Sequence, residues 1–464
     1  MILDSDSWSQ SIFGSVHLYD KRLTKRLVSM GSMLSRYPGD SITRCSEGNY
    51  AMEEGAYRFI ENIRVSPDSI SEGGFDSVIS SLPDDDDLLL IQDSTTLSYK
   101  HSARNELGVT SNNTTDKSRG WLVHASLLLS SSGNTLGLLD LDWTTRDDND
   151  HGRKHKRSIR PYTSKESYKW ESATRRCRER LSDHRDRTII ISDRESDVYE
   201  NLQYMITNGQ RFVIRTQSNR KLDDTTSCIF EHLSHSPVLG KTQVQVSAKG
   251  GRRSRLAEVS IRSSQVVLKA PRRHQSAMEM ELEPIKLSAI SIIEESPPED
   301  VENPLNWILW TSEPAATLSD TLKIQRLYSL RWRIEEYFKA WKSGCNVEEL
   351  RMPYADNLQR LAVILAFVAV RLLQLKELNN RTSELPCDTV LESMEWKILW
   401  LKSENSKPLP MKIPTIRWAY YALAKIGGWR DTRNTGKVGW KALWIGWARL
   451  MDMKEAVLIT KQNL

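Results

Sequence analysis

The stretch "DLLLIQD" (residues 87–93) is a short apolar run that ends in a carboxylate. A run of this length between polar residues predicts a buried strand that ends at Asp93. The stretch "RTIIISD" (187–193) repeats the pattern and ends in Asp193. A single aspartate after a strand is often only a turn former or a cap. Two of them in one chain suggest a shared role at one edge of a sheet.

The order of the surrounding elements indicates the fold. Residues 120–143 predict two strands around a Ser-Ser-Gly-Asn turn, and residues 164–183 predict a polar, basic helix. A further helix and strand follow between 195 and 216. Three strands, a helix and a central strand, with more α and β elements behind them, are typical of a ribonuclease-H-like α/β core with a mixed sheet. The first and fourth strands of such a sheet are neighbours, so Asp93 and Asp193 are expected to approach each other.

The stretch "YSLRWRIEEYFKAWKSG" (328–344) predicts a helix with an unusual polar face. At about 100° per residue, Tyr328, Arg331, Glu335 and Lys342 fall within an arc of about 60°. On its own, this pattern also fits an ordinary surface network of charges. Together with the two aspartates, it predicts that the helix places Glu335 beside them.

Asp93, Asp193 and Glu335 are the predicted metal ligands and catalytic residues. Converging carboxylates repel one another unless cations neutralise them, and oxygen ligands favour Mg²⁺ or Mn²⁺ over zinc. Two such ions, about 4 Å apart, can hold the attacking and leaving oxygens of a phosphodiester. Arg331 and Lys342 would then bind flanking phosphates, and Tyr328 could donate to one.

The rest of the chain predicts helical ends and a β insertion. Residues 1–66 carry basic side chains beside an apolar helical stripe, which fits either a DNA reader or a helical cap. Residues 217–300 predict a twisted antiparallel insertion. Residues 376–464 predict a separate helical domain, whose many tryptophans form either a core or a protein–protein surface. The catalytic core would span residues 67–375.

Composition narrows the class of protein further. No signal peptide is evident, and the apolar run at 361–370 is too short to span a bilayer, so no membrane partner is expected. The five cysteines are scattered, which fits a reducing cytoplasm and argues against a zinc site. The net charge of +5 decides little, but basic runs at 151–161 and 250–256 raise the expectation of a polyanion. Such runs are also common on solvated surfaces.

Five sequence motifs together indicate a known protein family. They are "QDSTTLSYKH" around Asp93, "KSRGWLVHASLLL", "KESYKW", "SDRESD" around Asp193 and "YSLRWRIEEYFKAWKSG". Together they resemble the bacterial cut-and-paste DDE transposases with the Tyr-Arg-Glu-Lys signature, the Tn-five type of insertion-sequence transposase. The spacing Tyr-x₂-Arg-x₃-Glu-x₆-Lys matches that family without a gap, and the likeness covers nearly the whole chain.

The resemblance implies a DNA-end-recognition domain, a catalytic domain with a β insertion, and a C-terminal dimerisation domain. It implies a homodimer that acts on transposon ends and target DNA in the bacterial cytoplasm, near the nucleoid. Two Mg²⁺ ions per active site would be needed, with Mn²⁺ as a substitute. Water would nick one strand, the new 3′-hydroxyl would form a hairpin with the other, and the reopened end would join target DNA.

The resemblance also implies specific DNA contacts. Trp307 would stack on a base that leaves the helix during hairpin formation. Further contacts would come from Arg215, Tyr328, Arg331, Lys342, Arg22, Arg26, Arg351 and Asn357. Two alternatives remain: a ribonuclease-H-fold nuclease or resolvase that cuts without joining, and a silent DNA-binding regulator, which would be expected to lack one of the three carboxylates.

Overall fold

A ten-stranded mixed sheet forms the centre of the protein. The computed structural model describes residues 5–83, 87–110, 118–146, 159–223, 227–246, 255–273, 279, 281–299, 301–381, 383–432 and 438–463. The strands are β1 (Leu88–Tyr99), β2 (Gly108–Val109), β3 (Arg119–Ser130), β4 (Thr135–Thr144), β5 (Thr188–Ser192), β6 (Arg211–Arg215), β7 (Val238–Val246), β8 (Arg255–Leu268), β9 (Ile285–Ile293) and β10 (Asn306–Thr311). Their order is β2-β3-β1-β5-β6-β10-β9-β8-β7, and β4 pairs with β3.

The centre of the sheet is parallel and buried on both faces. Strand β1 runs parallel to β5, and β5 runs parallel to β6. Leu89 and Ile91 belong to the apolar core on one face, whereas Leu88 and Leu90 belong to the core on the other. A continuous apolar run suits such a strand because both of its faces are covered. The predicted pairing of the first strand with the Asp193 strand is confirmed.

The prediction that the first strand ends at Asp93 is wrong. Strand β1 continues to Tyr99 because its polar second half still pairs with β3, and Asp93 itself pairs with Ala125. The parallel partner β5 ends at Ser192, opposite Gln92. Asp93 therefore lies inside a strand, but at the point where its neighbour on one side stops.

The strands between residues 217 and 300 extend the central sheet. Strands β7, β8 and β9 are mutually antiparallel, and β9 pairs with β10. Strand β8 is the longest of these strands and covers Arg255–Leu268. The sheet is thus continuous from its parallel centre to its antiparallel edge.

Helices precede, connect and follow the strands. They are α1 (Ser5–Phe13), α2 (Lys21–Arg36), α3 (Ile42–Cys45), α4 (Tyr50–Ile60), α5 (Pro67–Ile79), α6 (Lys169–Leu181), α7 (Tyr199–Thr207), α8 (Ile229–His235), α9 (Leu318–Ser329), α10 (Trp332–Lys339), α11 (Ala355–Arg381), α12 (Ser393–Ser403), α13 (Ile416–Ile426) and α14 (Trp440–Asn463). In α2, Leu27, Met30 and Leu34 are buried as the apolar stripe predicts. The Asp20 carboxylate caps this helix by accepting a hydrogen bond from the Arg22 amide.

Helix α11 is the central helix of the protein. Its segment Ala355–Glu377 is long and apolar enough to cross a membrane, but 83% of its most apolar window is buried inside the protein. It packs against the N-terminal helices α2, α4 and α5 and also against α10 and α13. The helix is therefore a core element. The boundary expected at residues 375–376 lies within it.

Candidate active site

Asp93 and Asp193 lie together at one edge of the parallel strands. Gln92 of β1 is opposite Ser192 of β5, so the residues that follow them occupy matching positions. Asp193 caps a short 3₁₀ turn, in which its Oδ1 accepts a hydrogen bond of 2.8 Å from the Glu195 amide. The negative charge of Asp193 acts on Asp93, as the pKa of Asp93 shows.

The Asp93 carboxyl has a strongly perturbed pKa. Burial and then the neighbouring Asp193 charge raise it from 3.8 to about 7, although Arg331 and the Ser94 amide oppose the rise. The Ser94 amide donates to Asp93 Oδ1 at 2.8 Å. A buried carboxyl group whose pKa is raised by burial and by a second acid is typical of a functional site.

Glu335 reaches this edge from helix α10, and Arg331 joins it to Asp93. The Arg331 Nη2 atom donates to Glu335 Oε1 at 2.6 Å, and Nη1 lies 3.2 Å from Asp93 Oδ2. The three side chains are mostly buried, with exposed fractions of 14% for Arg331, 18% for Asp93 and 25% for Glu335. One guanidinium therefore bridges two of the three predicted ligands.

The single regular helix expected over residues 328–344 is interrupted. Helix α9 ends at Ser329, α10 begins at Trp332, and Ala340–Gly344 is a π-helical turn. At the first break the Leu330 amide donates to Leu327 O and the Arg333 amide to Leu330 O, each three residues back. Tighter and wider turns both change the angle per residue. The prediction that residues 328–344 form one regular helix with four polar side chains on one face is therefore wrong in detail. Arg331 and Glu335 nevertheless contact each other.

Lys342 lies in the π-helical turn and is directed at β1. Its Nζ donates to Thr96 O at 2.5 Å and lies 3.7 Å from the Glu348 carboxylate. In this arrangement its ammonium supports the strand that carries Asp93. The predicted contact with a DNA phosphate would have to use the remaining donors of the ammonium or replace the bond to Thr96 O.

Carboxylate oxygens are the donors that a hard divalent cation prefers. The charges of Asp193 and Glu335 both act on Asp93, and the pKa of Asp93 is raised first by burial and then by the Asp193 charge, which a cation would offset. Yet among the described residues no three His, Cys, Asp or Glu side chains are grouped closely enough to hold an ion. The Arg331 guanidinium lies between Asp93 and Glu335 instead. The carboxylates therefore suit a divalent cation in their chemistry, and Arg331 would have to move for them to hold one.

A pocket of about 550 Å³ opens beside the carboxylates. Arg215, Trp307, Tyr328 and Arg331 all line it, as do the apolar Val246 and Leu305. The rings of Trp307 and Tyr328 meet edge to face, with centroids 5.0 Å apart. Arg215 Nη2 donates to Asn306 O at 3.0 Å. The structure thus groups four of the residues predicted to hold the DNA end.

Val246 and Leu305 were not predicted from the sequence. Val246 ends strand β7 and Leu305 directly precedes strand β10. The folding of the sheet brings both residues to the same pocket. No spacing in the sequence distinguishes them from other apolar residues. Their position in the pocket is a consequence of the tertiary fold.

The remaining predicted DNA contacts are scattered. The Arg22 side chain is 90% exposed at the start of α2 and pairs with Asp20 at 2.9 Å. The Arg26 guanidinium packs closely against Gly55 of α4. A side chain at position 55 would clash with it, because a Cβ there would lie only 2.4 Å from Arg26 Cζ. Arg351 is exposed in the segment before α11. The basic runs at 151–161 and 250–256, and the acidic run at 84–87, lie almost entirely outside the described residues.

The prediction that Asn357 contacts DNA does not agree with its position. Asn357 is 6% exposed, and its Oδ1 accepts a hydrogen bond of 3.1 Å from Arg360 Nη1. Arg360 in turn donates to Val65 O and Ile60 O, at the end of α4. Asn357 therefore helps to attach the N-terminal helices to α11 rather than lying on the surface.

A ribonuclease-H-like sheet with two aspartates at one edge and a glutamate on a covering helix is an arrangement suited to cleaving phosphodiesters. Residues 85–371 match the family model of the transposase DDE domain, and residues 5–65 match that of the transposase DNA-binding domain. The chain therefore belongs to the DDE transposases. Enzymes of this family cleave DNA and use divalent metal ions, and the second match indicates DNA as the partner.

Proposed function

We propose that this protein is a cut-and-paste transposase of the Tyr-Arg-Glu-Lys group, the Tn-five type, acting at the inverted-repeat ends of a transposon. The observation that carries the proposal is the bridge that Arg331 makes between Asp93 and Glu335, with Asp193 close enough to raise the pKa of Asp93, next to the pocket of Trp307 and Tyr328. The family match supports a DDE enzyme, and the neighbouring pocket supports this particular reaction course.

Asp93, Asp193 and Glu335 would hold two Mg²⁺ ions, with Mn²⁺ as a substitute, and such ions supply Lewis acidity to a phosphodiester. The protein's own residues orient the DNA. Arg331 and Tyr328 are placed to bind a phosphate at the border between the carboxylates and the pocket. Because these groups are mostly buried, each charged contact that they make is stronger than it would be in bulk water.

The reaction would proceed by successive attacks on phosphorus. Water breaks one strand at the transposon end and leaves a 3′-hydroxyl. That hydroxyl then attacks the opposite strand, which forms one phosphodiester, breaks another and leaves a hairpin. A second water reopens the hairpin, and the 3′-hydroxyl attacks target DNA. Every step exchanges one P–O bond for another, so no oxidant and no covalent enzyme intermediate is required.

The pocket explains how the hairpin would be tolerated. A tight DNA turn is relieved when one base leaves the stack, and an aromatic ring can receive that base. Trp307 is partly buried and held at its edge by Tyr328. Arg215 lines the same pocket and would bind the flipped nucleotide's phosphate.

The proposed organisation assigns residues 1–66 to end recognition, 67–375 to catalysis with an inserted β subdomain at about 217–300, and 376–464 to dimerisation. Arg22 and Arg26 would read the transposon end, and Arg351 would contact DNA near the cleavage site. Cleavage of paired ends by a homodimer would take place in the bacterial cytoplasm, at the nucleoid.

The test is cleavage of a DNA fragment that carries the gene's own flanking inverted repeats. The wild type and Glu335→Ala are compared with Mg²⁺ or Mn²⁺, and Glu336→Gln is the matched control because Glu336 pairs with Arg333 and Lys376 instead. We expect nicks and hairpins at the repeat boundary from the wild type and the control, and end binding without cleavage from Glu335→Ala.

Other outcomes separate the alternatives. Nicks without hairpins or joined products would indicate a nuclease or resolvase. Specific end binding without any cleavage by the wild type would indicate a regulator. Cleavage that survives Glu335→Ala and Asp193→Ala would contradict the assignment of the carboxylates.

A further inference from the structure

Arg331 is part of two neighbouring sites at once. On one side its two terminal nitrogens contact Asp93 and Glu335. On the other side it lines the pocket that also contains Arg215, Trp307 and Tyr328. The same guanidinium therefore has carboxylates within reach in the free protein and lies where a DNA phosphate is expected.

The contacts with the carboxylates use the oxygens that a cation would need. Arg331 Nη1 faces Asp93 Oδ2 at 3.2 Å, and Nη2 faces Glu335 Oε1 at 2.6 Å. A guanidinium presents its donors in a rigid fork, so it joins two separate carboxylates well. With Arg331 in this position, the described carboxylates do not form a three-ligand group.

Burial makes this bridge stronger than a surface ion pair. The Arg331 side chain is 14% exposed and both of its partners are at most one quarter exposed. Charges that water hydrates poorly interact more strongly than exposed ones. The other cations nearby have different partners: Lys342 is bonded to Thr96 O, and Arg215 to Asn306 O.

We infer that Arg331 is the internal counter-ion of the DNA-free active site. Divalent cations and DNA then bind cooperatively, because the guanidinium moves from the carboxylates to a DNA phosphate when both are present. Cations displace Arg331 from Asp93 and Glu335, and a DNA phosphate accepts the guanidinium that is released. This inference rests on the proposed function, since it takes the three carboxylates as the metal ligands. By linkage, whatever factor DNA adds to cation affinity, cations add to DNA affinity.

The first test measures Mn²⁺ binding to the DNA-free protein by electron paramagnetic resonance, which reports free Mn²⁺. The pH is mildly alkaline, so that the carboxylates are ionised. We expect Arg331→Ala to bind Mn²⁺ at least about tenfold more tightly than the wild type, because an adjacent opposite charge typically shifts a carboxylate's proton affinity by about that factor or more. Asp193→Asn in the Arg331→Ala background should remove this binding and thereby locate it.

Two further variants make the result specific. Arg333→Ala removes a guanidinium two residues away that pairs with Glu336, so it should leave Mn²⁺ binding unchanged. Arg331→Lys keeps the positive charge, but one ammonium does not reproduce the fork, and its Mn²⁺ affinity should lie between those of the wild type and Arg331→Ala. Thermal melting shows which variants remain folded, and Arg331→Lys keeps the test valid if Arg331→Ala unfolds.

The second test measures end binding by fluorescence anisotropy, with a duplex that represents an already cleaved transposon end. Mn²⁺ should tighten end binding by the wild type and should have little effect on Arg331→Ala. If Arg331→Ala and Arg331→Lys both bind Mn²⁺ no more tightly than the wild type, the counter-ion role is overturned. Absence of cleavage by the wild type would instead contradict the proposed function and leave the Mn²⁺ comparison intact.

Discussion

Replacing Asp93 by asparagine should stabilise the metal-free protein, although it should abolish cleavage. The pKa of Asp93 is raised from 3.8 to about 7, first by burial and then by the Asp193 charge. The folded state therefore binds a proton more tightly than the unfolded state, so stability falls as the pH rises through the window between these two values. The full shift corresponds to about 4 kcal/mol at pH 8.

Asparagine resembles the protonated acid in shape and charge, so Asp93→Asn removes this penalty. We expect the gain in unfolding free energy to be below about 2 kcal/mol at pH 5 and to grow to about 4 kcal/mol at pH 8. The assay is urea unfolding with a chelator present, since a bound cation would change the pKa of Asp93. Melting temperatures at the same two pH values give an independent comparison.

Glu336→Gln is the control, because it should change the unfolding free energy at pH 8 in the opposite direction. Burial alone would raise the pKa of Glu336, but Lys376 and Arg333 together hold it below its usual value. Its ionised form therefore stabilises the fold above the ordinary pKa of a glutamate, and the variant should lose about 1–3 kcal/mol at pH 8. If Asp93→Asn is instead no more stable than the wild type at pH 8, the bridge to Arg331 outweighs the repulsion, and the reasoning from the raised pKa is refuted.

Two further predictions concern the DNA end and the N-terminal helices. Trp307→Ala should slow hairpin formation more than first-strand nicking, as resolved on denaturing gels, and equal loss at both steps would contradict a stacking role. Arg360→Ala should loosen the N-terminal helices from α11 and leave Val65 O and Ile60 O without their buried donor, at a cost of about 1–3 kcal/mol. Faster proteolysis after α4 checks this, with the exposed Arg351→Ala as the unchanged control.

The central strands could be predicted because local pattern and tertiary environment agree. Runs such as Leu88–Ile91 and Ile189–Ile191 are apolar on both faces, and the parallel centre of the sheet buries both faces. The end of β1 could not be predicted in this way. Its polar continuation past Asp93 is held by pairing with β3, from Ser94 opposite His124 to Tyr99 opposite Arg119, and these partners lie 20 to 30 residues further along the chain.

The catalytic helix shows a different limit. The segment mixes strong helix formers such as Leu330 and Glu335 with ordinary ones such as Trp332 and Tyr337, and no residue type in it predicts the break after Ser329 or the π-helical turn at Ala340–Gly344. The spacing of Arg331 and Glu335 survives because four residues still separate them by about one turn. The direction of Lys342 does not survive, because it depends on the turn that the sequence did not predict.

The DNA contact assigned to Asn357 came from the family resemblance, and the structure gives this residue a different role. As a lone asparagine near an arginine, it reads equally well as a surface contact or as a buried support. The structure places it at 6% exposure beside Arg360, whose guanidinium holds two carbonyls at the end of the N-terminal helices. An effect of Asn357 on DNA binding would then act through the attachment of the recognition helices.

The position of Arg331 connects the stability of the site to its proposed use. Asp93 remains perturbed even with a guanidinium 3.2 Å away, because burial and Asp193 together outweigh that one positive charge. Burial and the Asp193 charge both disfavour the ionised form of Asp93, and on the proposed function a divalent cation would offset these two effects more fully than one guanidinium does. On the proposed function, Arg331 leaves the carboxylates only when cations replace its charge there, and its guanidinium then becomes available to a DNA phosphate. A site that was fully neutralised by Arg331 would bind neither as readily.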